Sequence, residues 1–87
     1  MKVIDGLMLR EVAGNWVVIP TGSQVIEMGG IISLSESGAF LWKLLKEEKS
    51  KEELVKAFLE EYDVSEATAR KDVEEFIEEL SHKKLVI

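Results

Sequence analysis

The hydrophobic period of this chain changes once, at Ser35, and that switch limits the folds open to it. Before Ser35, apolar residues come in short, β-branched runs: residues 7–13 (LMLREVA), 16–20 (WVVIP), 25–28 (VIEM) and 31–34 (IISL). Runs of this length and make-up, bounded by glycine, read as strands. After Ser35 the apolar residues recur about every 3.6 positions, the period of a helix stripe. Strands followed by helices, rather than alternating with them, make an α+β domain.

Turn chemistry orders the strands. Gly14-Asn15 supplies the positive φ of a tight hairpin and predicts Ala13 opposite Trp16, Val12 opposite Val17 and Glu11 opposite Val18. Pro20 has no N–H, so the second strand ends there or lies at an edge. Thr21-Gly22-Ser23 reads as a turn. Gly29-Gly30 predicts a second hairpin between 25–28 and 31–34, giving an antiparallel meander.

Three helices follow. Ser35 is the expected N-cap of the first, with Glu36 in its first turn. That helix is expected to run to about Lys46, with Ala39, Phe40, Leu41, Trp42, Leu44 and Leu45 on a broad apolar face. Gly38 costs helix propensity and leaves room for another backbone to approach. Ser50 and Glu53 form a capping box for the second helix, expected to reach about Tyr62 with a stripe of Leu54, Val55, Phe58, Leu59 and Tyr62. Ser65 caps the third, whose stripe is Ala69, Val73, Phe76, Ile77 and Leu80 and whose end carries His82, Lys83 and Lys84. Leu85-Val86-Ile87 reads as a last short strand or a docked apolar tail. The predicted fold is winged helix-turn-helix-like, N-terminal antiparallel β-strands followed by a three-helix bundle, in one domain over residues 1–87.

The chemistry of catalysis is sparse. There is no cysteine, so this chain builds neither an iron–sulfur cluster nor a thiolate zinc site. Its one histidine, His82, reads as an exposed residue in a cationic helix end. Ser35, Ser50 and Ser65 are accounted for as caps and Ser23 as a turn residue, and no serine sits in a nucleophile elbow. Carboxylate pairs such as Glu60-Glu61 and Glu74-Glu75 lie between apolar stripe positions, on solvated helix faces. These readings predict a protein that is not an enzyme and needs no cofactor. The N-terminal residues lack a long apolar run, which predicts neither a signal peptide nor a membrane span and makes the cytoplasm the expected location.

The net charge is −6, which opposes nucleic-acid binding. The third helix, in the place of a recognition helix, presents Glu66, Asp72, Glu74, Glu75, Glu78 and Glu79 where a duplex reader needs cations. A winged-helix DNA-binding regulator is therefore the weaker reading. The stretch Gly29–Trp42 (GGIISLSESGAFLW) suggests another: an apolar strand edge beside a helical bundle, where a second chain adds a strand. Dimerisation through the same edge is a third reading, and a monomer or weak homodimer is expected.

The run IISLSESGAFLWKLL, followed by SKEELVKAFLEEYDVSEATARKDVEEFIEELSHKKLV, resembles the PqqD-like proteins (pyrroloquinoline quinone biosynthesis protein D and its relatives). The shared pattern is a strand, a Leu-Ser in place of a frequent Leu-Asn, a helix with an aliphatic-Trp-x-Leu-Leu run, a capped Glu-Leu-Val helix and a Tyr-Asp-Val turn. It covers about residues 7 to 87. The resemblance implies a recognition element for ribosomally made, post-translationally modified peptides. Such proteins bind the leader of a precursor peptide and present it to a modifying enzyme, often a radical SAM enzyme. In the family the leader adds as a strand to the third strand of the sheet, beside the third helix. Carried onto this chain, the receiving strand is Ile31, Ile32, Ser33 and Leu34, and the helix positions are Thr68, Ala69, Asp72, Val73 and Phe76. The segment Thr21–Gly30 is longer than the usual link, and pairing of Val25–Met28 with the receiving strand would occupy one of its sides.

Overall fold

The computed structural model describes residues 1–21 and 31–87. Three strands, β1 (Leu7–Val12), β2 (Asn15–Pro20) and β3 (Ile32–Leu34), precede three helices, α1 (Glu36–Leu44), α2 (Lys51–Glu61) and α3 (Glu66–His82). The sheet is antiparallel in the order β1-β2-β3. The expected second hairpin, Val25–Met28 across Gly29-Gly30, lies outside the described residues.

The β1–β2 register differs by two residues from the one expected. Val12 stands opposite Asn15, Glu11 opposite Trp16 and Leu9 opposite Val18. The turn is Ala13-Gly14, both with positive φ, 52° and 82°, as a type I′ hairpin requires. Burial explains the choice. Val18 is fully buried; the expected register would set it against Glu11, whereas the observed one sets it against Leu9. A shift of two leaves every side chain on its own face of the sheet. Leu7, Leu9, Ile32 and Leu34 accordingly pack with Val18 on the core.

The helix starts are local and fall where the sequence places them. The Oγ of Ser35, Ser50 and Ser65 accept from the backbone N–H of Gly38, Glu53 and Thr68 at 3.1, 3.1 and 3.2 Å. The capping box is closed by the Ser50 N–H, which donates to Glu53 Oε1 at 2.9 Å. Trp42, Leu41 and Leu45 of the α1 region and Leu54, Val73 and Leu80 of α2 and α3 are almost wholly buried. Phe40 packs edge-on against Phe58 and Tyr62, which lie tilted against each other, and the cluster joins α1 to α2.

The chain ends pair with each other. Val3 and Val86 form an antiparallel bridge, flanked by Lys2 N–H to the Ile87 carbonyl at 2.9 Å and Ile87 N–H to the Lys2 carbonyl at 2.8 Å. The expected last strand thus has a partner that the sequence reading left unassigned, residues 2–4. Val3 also donates to the Leu45 carbonyl at 2.8 Å, which ties the ends to the foot of α1.

Two outcomes test the capping box. Ser50→Ala lowers stability by about 1 kcal/mol, read as a lower denaturant midpoint at unchanged slope. The Glu53 carboxyl is held below its ordinary value, first by the Ser50 backbone N–H and then by its hydroxyl. Its contribution is therefore present above the unfolded value, about pH 4.3, and is lost as pH falls through the folded one. Wild-type stability falls more steeply on that acid limb than that of Glu53→Gln.

Candidate functional site

What β3 offers to a partner follows from the alternation of antiparallel pairing, in which residues exchange peptide hydrogen bonds at every second position. The Thr21 N–H donates to the Gly6 carbonyl at 2.8 Å, and these two residues extend the β1–β2 register. Ile19, Val17 and Asn15 are of the same set and turn their peptide groups toward β1. Val18 and Trp16 turn theirs toward β3, where their partners are Ile32 and Leu34. Ile31 and Ser33 therefore point their N–H and C=O groups away from β2. Among the described residues no strand covers that edge.

The side chains of this edge divide by face. Ile32 and Leu34 are half-buried and pack against the core. Ser33 is exposed on the other face, and Ile31, just before the strand, is 65% exposed. An isoleucine so exposed at an open edge is a ready contact for an added strand.

Beside β3 lies a groove of about 250 Å³ between the start of α1 and the middle of α3. Gly38, Leu41 and Phe76 form its apolar floor; Asp72, Glu75 and Glu79 line its α3 side, with Ser35 and Ser37 across from them. Of the helix residues singled out in the sequence, Asp72 and Phe76 reach this groove. Ala69 and Val73 are fully buried in the core and do not line it. Thr68 is exposed in the first turn, where its Oγ1 accepts from the Ser65 hydroxyl at 3.1 Å.

Sequence reasoning missed Glu75 and Glu79, although they follow Asp72 at i+3 and i+7 on one stripe. It also missed the α1 side. The signal there was Gly38: a Cβ on it would stand 3.4 Å from Phe76 Cε1, 3.6 Å from Leu34 Cβ and 3.3 Å from Ser35 Oγ. What the glycine admits is thus the Phe76 ring, not another backbone.

The charges of α3 are sorted by side. Toward α2, Arg70 makes a two-pronged pair with Glu52 at 2.7 and 3.1 Å and reaches Glu66 at 3.4 Å. Lys51 pairs with Glu74 at 2.6 Å. The Arg70 hydrogen bond holds the Glu52 carboxyl below its ordinary value. Toward the groove, Glu79 meets Lys83 at 3.4 Å, while none of the ion pairs among the described residues includes Asp72 or Glu75. Among the described residues no group of carboxylates and histidine is placed to hold a metal ion, and no helix is long and apolar enough to cross a membrane.

Filling the floor tests its packing. Gly38→Val costs about 1–3 kcal/mol by overpacking against Phe76 and Ser35, measured by denaturant unfolding. An unchanged midpoint would mean that the floor yields freely.

A solved structure described as TbiB1 in complex with the TbiA(beta) leader peptide is similar to this chain, with 29% identity and a TM-score of 0.75. The match covers 98% of this chain and 93% of that one. No curated protein matches. The family model for coenzyme PQQ synthesis protein D (PqqD) matches residues 15–86, and the chain belongs to the PqqD family.

Proposed function

We propose that this protein is a non-catalytic binder of the leader segment of a ribosomally made precursor peptide, which it presents to a peptide-modifying enzyme of the radical SAM class in the cytoplasm. The observation that carries the reading is the edge of β3, open among the described residues, with the peptide groups of Ile31 and Ser33 directed outward beside a groove walled by α3. A strand added there hydrogen-bonds along β3 and drops every second side chain into the groove. The leader peptide in the TbiB1 structure supports the same reading.

Magnitudes fit a carrier that must release its cargo. About four ladder hydrogen bonds at roughly 1 kcal/mol each and two apolar anchors at roughly 2 kcal/mol each give on the order of 8 kcal/mol. Ordering a disordered leader takes back roughly 2–5 kcal/mol, with rigid-body entropy lost besides. The affinity expected is micromolar or weaker. The duplex-binding alternative meets an exposed row of glutamates on α3, at Glu66, Glu74, Glu75, Glu78 and Glu79, which repels phosphates.

Titrating the leader peptide into isotope-labelled protein is expected to move the backbone amide signals of residues 31–34 and of α3. Shifts confined to other elements would sink the reading. Ser33→Pro gives a sharper test. Ser33 faces Val17 at a position that does not bond to β2, so proline there deletes an outward N–H and spares the sheet. The variant keeps its helical circular dichroism and loses at least about tenfold in leader affinity, one outward hydrogen bond and a hindered edge.

A further inference from the structure

Among the described residues Asp72 and Glu75 line the groove without an ion-pair partner, and with the peptide-binding reading as its basis this bears on what the occupant carries. Other acids on and beside α3 do have cations: Glu52, Glu66 and Glu74 are matched by Arg70 and Lys51, and Glu79 by Lys83. Residues 22–30 (GSQVIEMGG) contain no lysine, arginine or histidine, so that segment brings no countercharge to the groove. A strand laid on β3 turns alternate side chains toward the helices. One that enters the groove meets an apolar floor of Gly38, Leu41 and Phe76 and the carboxylates of Asp72 and Glu75.

A side chain with an apolar stem and a cationic head matches both layers, and a carboxylate matches neither. We propose that the β3 edge selects extended peptides carrying a Lys or Arg at a helix-facing position, so that Asp72 and Glu75 read charge while the strand edge reads backbone. The net charge of −6 steers encounter with a basic segment in the same direction. In this reading the two carboxylates are specificity residues, and the hydrogen-bonded edge supplies the affinity common to all occupants.

A displayed library of random linear peptides, selected on the immobilised protein, tests the proposal. Selected binders are expected to carry Lys or Arg at positions of one parity and to move the amide signals of residues 31–34. Their affinity falls about fivefold on an Asp72→Asn/Glu75→Gln variant of unchanged thermal stability, and about as much when the peptide's basic residue is exchanged for glutamine. Binders that move residues 31–34 but show no basic enrichment, or keep their affinity on the double variant, overturn the proposal and leave peptide binding intact. If no selected peptide moves residues 31–34, both fall.

Discussion

β2 divides its peptide groups between two neighbours, and the geometry of the site follows from that division. The Ala13-Gly14 turn fixes which set faces β1. The remaining set, at Trp16 and Val18, is what β3 receives. A strand as short as β3 is too small to stand alone; it is held by β2 on one side and by Ile32 and Leu34 packing on the core beneath. Its outward peptide groups at Ile31 and Ser33 are thus a remainder, set by a turn on the other side of the sheet. Slipping the register by one residue would invert every side chain and also exchange the bonded and open sets.

The third helix carries three functions on one cylinder. Its stripe of Ala69, Val73, Phe76 and Leu80 is buried, and burial of such residues stabilises by about 1.5–3 kcal/mol for each large side chain. The exposed ion pairs toward α2 are worth little by comparison, about 0–1 kcal/mol each. Their consequence is positional. By engaging Arg70 and Lys51 on the α2 side, they leave the groove side acidic, which folding alone does not require.

The parts of this architecture legible in the sequence are those fixed by near neighbours. Each serine cap acts on an N–H three residues ahead, and each helix stripe repeats within a turn, so both stand out from the residues alone. The hairpin register does not, because the competition that settles it is between Leu9 and Glu11 for the place beside Val18, and Val18 is buried by helices that lie far along the chain. The pairing of residues 2–4 with 85–87 has no local signal at all. β3 is legible as a short apolar strand beside a bundle. The groove is legible only in part, since it exists where two helices meet: Phe76 belongs to the apolar stripe and Asp72 to the positions the family resemblance implies, whereas Ser37, Gly38 and Leu41 join them only through packing.

The bridge between Val3 and Val86 brings both ends of the chain to one place, at the foot of α1 where Val3 bonds to Leu45. The groove opens at the head of the same helix, at Ser35 and Gly38, about 15 Å away at 1.5 Å per residue. A body tethered to either end therefore starts from the end of α1 opposite the groove. In the proposed role such a tether would raise the local concentration of whatever works on the bound segment, and at either end it would leave from neighbouring residues.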